Sequence, residues 1–180
     1  MLTISFLVFI GCNDAKYQQE LNDIDSLITV VDSLHQKLIG LNIDTINILI
    51  DETEGSLSVL RAYTPDKNKQ EYLTKISYCG SVNKQLGRFI GSYSHYQKEL
   101  TMSGEQLKSL RFDVENNLLK DTMVQKYLND EQRILSSLGL KFENSINNMN
   151  EKKQFYMEIR ESILTYTDSI KTIQQDNIEY

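Results

Sequence analysis

The sequence is poor in residues that interrupt regular secondary structure and in residues that build disulfide frameworks. Its 180 residues include one proline, eight glycines, two cysteines and no tryptophan. An all-β chain of many short strands needs more glycine and proline at its turns. A small disulfide-rich domain needs more cysteine. These shortages leave an α-rich body as the expected fold class.

Positive charge is also scarce, which excludes a further class of proteins. The chain has 19 Lys and Arg residues against 25 Asp and Glu residues, for a net charge of −6. A surface that binds nucleic acid through its phosphates needs an excess of basic residues, so we expect no nucleic-acid partner. The hydrophobic fraction of 40% is sufficient for a folded core.

A short apolar segment opens the chain. Residues 2–10 are nearly all apolar, and polar sequence begins at Asn13. A membrane-spanning helix needs roughly 20 apolar residues, whereas a shorter run is typical of the apolar region of a signal peptide. The run ends in the sequence Phe9-Ile10-Gly11-Cys12.

This ending resembles the lipobox of bacterial lipoproteins, in which a bulky apolar residue, a tolerant position and a small residue precede a cysteine. The resemblance implies that the Cys12 thiol receives a diacylglyceryl group, that a peptidase cuts before Cys12, and that acyl chains such as palmitate anchor the protein. Two or more acyl chains hold a protein stably on a membrane. Phe9 stands where leucine is usual, and no Lys or Arg precedes the run. A leader truncated at its start would explain its shortness and its missing charge.

We therefore predict a signal peptide over residues 1–11, a lipidated cysteine with a short tether over 12–18, and a single helical-bundle domain over 19–178. Some lipoproteins stay at the inner membrane because aspartate follows the lipidated cysteine, and here that position is Asn13. The expected location is the bacterial cell envelope, at the outer membrane facing the periplasm, with the membrane as a partner through Cys12.

In the body of the chain, apolar residues recur every three or four positions, which predicts amphipathic helices. Near Gly40 the pattern changes phase by one residue, which indicates a stutter or a switch of packing partner. We expect an all-α, elongated antiparallel bundle or coiled coil of three to four long helices without a sheet. The predicted helices cover residues 16–62, 66–100, 104–121 and 123–177.

Five sequence features bear on these helix boundaries. Thr64-Pro65 is a strong helix start. Ser103 and Gln106 have the spacing of a capping box, which predicts another start. Polar residues at 117 and 121 predict a break, and the asparagine-rich segment 147–150 suggests a weaker one. Glycines at 80, 87 and 91 suggest close approach of a neighbouring backbone, a kink or a break.

The candidates for chemistry are few. His35 lies near Asp32, and His95 lies four residues before Glu99, but the Glu-x-x-His pairs of carboxylate-bridged metal bundles are absent. We interpret both histidines as surface residues and Cys79 as a small buried apolar group. We predict no catalytic residue, metal site or cofactor. The spacing predicts that Tyr78 and Tyr96 lie off the apolar stripes, which gives the hypothesis of a contact surface.

The favoured function is that of a non-enzymatic, membrane-anchored helical lipoprotein that acts through protein–protein contacts. One alternative is a periplasmic ligand-binding or sensor-type four-helix domain, and another is a holdase-like chaperone of outer-membrane proteins. The sensor class needs a second membrane segment, and none follows residue 100. Such chaperones are usually basic, whereas this chain is acidic. The protein partner and the oligomeric state stay open.

Overall fold

A computed structural model describes residues 16–65 and 69–176, and all the regular secondary structure in these two ranges is α-helical. The predicted fold class, an all-α bundle of long helices without a sheet, is confirmed for this part of the chain. At 1.5 Å per residue, the longest helix extends about 84 Å. The helices are α1 (Gln18–Ile39), α2 (Ile43–Arg61), α3 (Lys69–Glu115) and α4 (Asp121–Asp176).

The four helices form three columns. The first column consists of α1 followed by α2, and both of these helices pack against α3 and α4. The first column runs parallel to α4, because polar contacts between them keep a nearly constant offset of 105, 106 and 108 residues: Lys16–Asp121, Lys37–Glu143 and Glu52–Arg160. Helix α3 forms the third column. It runs antiparallel to the first column and to α4, as its contacts Arg111–Asp25 and Asn83–Ile50 show for the first column.

The core follows the apolar stripes that the sequence predicts. One cluster of buried side chains extends along α1, the first half of α2 and the facing parts of α3 and α4. A second, smaller cluster closes the end of the bundle where α2 ends and α3 begins. Its buried members are Leu57, Leu60, Cys79, Ile163 and Ile170.

The predicted single helix over 16–62 is wrong, because α1 and α2 are separate helices. Asn42, at φ −79° and ψ 88°, leaves the helical region, and its side chain accepts a hydrogen bond from the Thr45 backbone N–H. Asparagine is a favoured N-cap because its oxygen satisfies one of the free N–H groups of the next helix. The phase change near Gly40 therefore marks a helix break. It is not a change of partner, since α1 and α2 pack against the same two helices.

The predicted break between residues 100 and 104 is also wrong, because α3 continues through it. Ser103 is buried and lies on the same stripe as Leu100 and Leu107, so packing against two columns keeps this segment helical. The weaker break predicted at 147–150 is absent too, and Met149 in that segment is a core residue. A Cβ atom added at Gly80, Gly87 or Gly91 would meet nothing within 4 Å, so these glycines mark neither a close approach nor a break in α3.

The turn between α3 and α4 confirms the predicted break near residues 117 and 121. Asn117 has a positive φ of 54°. The Asn117 N–H donates to the Val114 carbonyl, and the Leu118 N–H donates to the Asp113 carbonyl, at 3.1 and 2.9 Å. These two bonds form the Schellman motif that commonly ends a helix. The other predicted boundary, a helix start at residue 66, lies outside the described residues, and α3 is described from Lys69.

Asn117 gives a first testable prediction. Because a left-handed backbone costs a residue with a Cβ atom about 1–2 kcal/mol and glycine nothing, Asn117→Gly should be more stable than Asn117→Ala by about 1 kcal/mol. At the exposed position Asn148 inside α4, the order should reverse, since alanine is the better helix former by about 1 kcal/mol. Urea denaturation of the four variants tests this. The same order at both positions would contradict the left-handed assignment.

Candidate functional site

The two histidines lie apart and do not form a site together. His35 is half-buried on α1, beside the exposed Asp32. His95 is exposed on α3, and its Nδ1 atom is 3.8 Å from a carboxylate oxygen of Glu99. Within the ranges 16–65 and 69–176, no group of three His, Cys, Asp or Glu side chains has the arrangement to hold a metal ion.

Only one of the two cysteines lies within the described residues. Cys12 and its surrounding leader lie outside the described residues. Cys79 is fully buried, as predicted. Burial raises the pKa of the Cys79 thiol to about 11, so the thiol stays protonated at neutral pH. Since the thiolate is the reactive form of cysteine, Cys79 serves packing in the second core cluster.

The tyrosine hypothesis is wrong for one of its two members. Tyr96 is buried, its ring centroid lies 5.3 Å from that of Phe142, and its hydroxyl donates to the Lys141 carbonyl. Tyr78 is partly exposed, and its ring packs edge-on against Phe155 at 5.1 Å. The two side chains therefore do not make one contact surface, because Tyr96 packs mainly in the core.

A polar cluster that the sequence analysis missed joins α2 to α4. One carboxylate oxygen of Glu52 accepts hydrogen bonds from the Tyr156 hydroxyl and the Arg160 Nε, both at 2.7 Å. Its other oxygen accepts from Arg160 Nη2 at 2.5 Å. The Arg160 guanidinium, with a further contribution from the Tyr156 hydroxyl, lowers the pKa of Glu52. All the polar atoms of Glu52 are satisfied within the bundle, so we assign this cluster to stability.

A groove lies between α3 and α4, on the side of these helices away from α1. It consists of two adjoining cavities of about 610 and 410 Å³ that share Arg133 and Ile134. On α3 the groove runs from His95 to Asp113, about 27 Å at 1.5 Å per residue. We call this surface the α3/α4 groove. Its lining is His95, Tyr96, Glu99, Met102, Glu105, Gln106, Ser109, Leu110 and Asp113 from α3, and Tyr127, Asp130, Glu131, Arg133, Ile134, Ser137, Leu138 and Lys141 from α4.

The floor of the α3/α4 groove is apolar and in contact with solvent. Met102, Tyr127 and Ile134 are 43%, 37% and 43% exposed, and Leu110 beneath them is buried. Large apolar side chains that stand together at the surface commonly mark an interaction site. The groove therefore offers apolar area that the described part of the bundle leaves uncovered.

The rim of the α3/α4 groove is acidic toward the α3–α4 turn. In this half the lining holds the carboxylates Glu105, Asp113, Asp130 and Glu131 and a single cation, Arg133. Arg133 bonds to Asp130 at 3.3 Å. The Oε2 atom of Glu131 is shielded from solvent and has no hydrogen-bond partner among the described residues. Burial, with the nearby Asp130 charge, raises the pKa of Glu131.

The groove was missed in the sequence, although a signal was present. Tyr127, Asp130, Glu131 and Ile134 have the i, i+3, i+4, i+7 spacing of one helix face. This face lies directly beside the core stripe, and a mixture of acidic and large apolar residues on a flanking face is a pattern that could have indicated a contact surface.

Comparisons with known proteins add no functional assignment. No protein-family model, no curated protein and no solved structure matches the chain. None of the helices within residues 16–65 and 69–176 combines the length and the apolar character of a membrane-spanning segment.

Proposed function

We propose that this protein is a non-enzymatic, lipid-anchored helical protein of the bacterial envelope that acts through protein–protein contacts. The anchor is Cys12, in the lipobox-like sequence described above, and the contact surface is the α3/α4 groove. The observation that carries this proposal is the open, partly apolar groove, because a surface of this kind is typical of a protein that binds another protein.

The geometry at the start of α1 supports a short tether. Tyr17 is buried, and its hydroxyl donates to the carboxylate of Asp121, which also pairs with Lys16 at 2.7 Å. Tyr17 follows Cys12 by five positions, which is at most about 18 Å of extended chain. A lipid on Cys12 would keep the α3–α4 turn within this distance of the membrane.

This position also determines which part of the groove would face the membrane. Asp113 and Tyr127, at the acidic end of the groove, are close in sequence to the turn at residues 116–120. The acidic end is therefore the end nearer the anchor, while the opposite end of α4 can extend tens of ångströms away. The protein would hold its contact surface beside the membrane.

The sensor-type alternative receives less support from the fold. A four-helix domain has four columns of helix side by side. Here α1 and α2 share one column, so the described bundle has three columns. The holdase alternative predicts that the purified chain suppresses aggregation of an unfolded outer-membrane protein, which light scattering would measure.

The anchor is tested by metabolic labelling with an alkyne fatty acid in a diderm host, with the gene under its natural start. We expect the wild type to be labelled and Cys12→Ala to lose the label completely. Cys79→Ala is the matched control, because it removes the other cysteine of the chain and should keep the label. Absence of label in the wild type, or retention in Cys12→Ala, would overturn the anchoring proposal.

A further inference from the structure

We propose that the α3/α4 groove docks a basic amphipathic helix of a partner protein. The apolar stripe of this helix would cover Met102, Tyr127 and Ile134, and its Lys or Arg side chains would pair with the carboxylates of the rim. This inference rests on the contact role proposed above, and it is independent of the lipid anchor.

The dimensions of the groove favour a helix as the occupant. Its length of about 27 Å corresponds to about 18 residues, or five helical turns. Tyr127 and Ile134 are one heptad apart on α4, which is the repeat that a packed helix follows. Helix-in-groove recognition uses apolar anchors at this spacing.

The opposite side of the same two helices already shows this mode of packing. Val31 and Leu34 of α1 lie against Gly104 of α3 and Gly139 of α4, 3.5 and 3.6 Å from where a Cβ atom would stand. At this level α1 covers one side of the α3/α4 pair, and the groove lies on the other. A partner helix in the groove would face α3 and α4 as α1 does.

The charges of the groove favour a basic occupant. Four carboxylates and one guanidinium line its acidic half, so the acidic half has a net charge of 1 − 4, or −3. Lys or Arg side chains of a partner helix would pair with the carboxylates that line this half of the groove.

A second copy of this chain is the less suitable occupant. Two acidic grooves in a symmetric dimer would bring like charges together, which opposes association. The net charge of the whole chain, −6, adds to this repulsion. The negative charge of the groove would instead attract a basic helix. This attraction would speed the association of a basic helix and favour its binding over that of acidic helices.

The test uses the full-length chain carrying Cys12→Ala, so that it does not depend on lipidation. The probe is a synthetic 18-residue amphipathic peptide with leucines on one face and lysines on its flanks. A second peptide has glutamate in place of every lysine. Fluorescence polarisation of each labelled peptide gives its dissociation constant. We expect the lysine peptide to bind and the glutamate peptide to bind at least tenfold more weakly.

Neutral variants locate the binding. In the groove variant, Asp113→Asn, Asp130→Asn and Glu131→Gln remove three charges from the rim without changing side-chain size. In the control variant, Asp44→Asn, Asp51→Asn and Glu151→Gln remove three charges from exposed positions outside the groove. We expect at least a tenfold loss of affinity for the lysine peptide in the groove variant and less than a twofold loss in the control.

The apolar part of the proposal has its own pair of variants. Ile134→Ser removes an apolar side chain from the floor, and Leu140→Ser removes one that is 68% exposed elsewhere on α4. Only Ile134→Ser should weaken binding, by about tenfold. Circular dichroism confirms that each variant is folded.

Three results would overturn the proposal: equal affinity of the groove and control variants, equal binding of the two peptides, or a dimer in sedimentation that Ile134→Ser abolishes. The last result would assign the groove to a second copy of the chain. Because binding is measured on the Cys12→Ala chain, loss of peptide binding and loss of fatty-acid labelling are separate outcomes.

Discussion

Phe142→Ala is expected to lower the free energy of unfolding by about 3–5 kcal/mol, the usual range for truncating a buried phenylalanine. Phe142 is fully buried, and its ring packs edge-on against Tyr96. The variant loses the burial of the ring and leaves a cavity, because close-packed neighbours relax only partly. Total stabilities of domains are about 5–15 kcal/mol, so this one change removes a large share.

Phe142 lies at the level of the bundle where α1 ends. Lys37, in the last turn of α1, pairs with Glu143, the neighbour of Phe142, at 2.5 Å. Phe142 therefore lies close to the level at which α1 ends and the first column is interrupted before α2. At this level the Phe142 ring packs against Tyr96 of α3 within the main core cluster, so the truncation removes contacts between α3 and α4.

Chemical denaturation with urea measures this loss, and a thermal midpoint lower by roughly 6–20 °C should accompany it for a domain of this size. Phe112→Ala is the matched control, because Phe112 is 60% exposed on α3. Its effect should stay within about 0.5 kcal/mol, as for most surface substitutions. Equal losses for the two variants would show that Phe142 is not a core residue.

The sequence was sufficient to predict the fold class and the α3–α4 turn because both depend on local patterns. The turn is recognisable at residues 116–120, where the apolar stripe is interrupted by polar residues and where asparagine tolerates the left-handed backbone. Cys79 was correctly predicted as buried since it lies on the same helical stripe as its apolar neighbours.

The helix ends within the long columns could not be predicted in the same way. Ser103 and Gln106 have the spacing of a capping box, but residues three apart also lie on one face inside a continuous helix. The helix continues through this segment because Ser103 is buried against two columns. At Asn42 the opposite occurs, because a free side-chain oxygen caps the next helix. Propensity alone cannot separate these two cases, since tertiary packing overrides it.

The candidate surface escaped prediction for a different reason. The α3/α4 groove combines residues from helices that are brought together only by the antiparallel fold, so its acidic rim exists in no single segment. The same is true of the cluster around Glu52, whose partners on α4 are 104 and 108 residues away. Local spacing indicates which residues share a face, but it does not indicate which faces meet.

Glu52→Ala is expected to lower the free energy of unfolding by about 1.5–3 kcal/mol, which is the range for hydrogen bonds to a charged group. The Glu52 side chain is only 18% exposed, and its loss leaves the buried Tyr156 hydroxyl without an acceptor. Arg160 is 43% exposed, so water can solvate it in the variant, and the cost stays below that of a fully buried broken ion pair.

A matched control lies two residues along the same helix. Glu54 pairs with Arg61 at 3.5 Å, with both side chains more than half exposed. Exposed pairs of this kind contribute about 0–1 kcal/mol, so Glu54→Ala should cost less than about 0.5 kcal/mol. Hydrogen exchange gives a local measure, and only Glu52→Ala should lower the protection of α2 amides relative to those of α1.

The pH dependence of the difference between wild type and Glu52→Ala tests the electrostatic explanation. Arg160 lowers the pKa of Glu52 in the folded chain below its ordinary value of 4.5. A depressed carboxyl pKa stabilises the fold above the unfolded value, and this contribution is lost as the pH falls through the folded value. The difference should therefore be constant from pH 7 to about pH 5 and shrink in more acidic solution. A difference that does not change with pH would assign the effect of Glu52 to packing alone, because only an ionised carboxylate binds the guanidinium strongly.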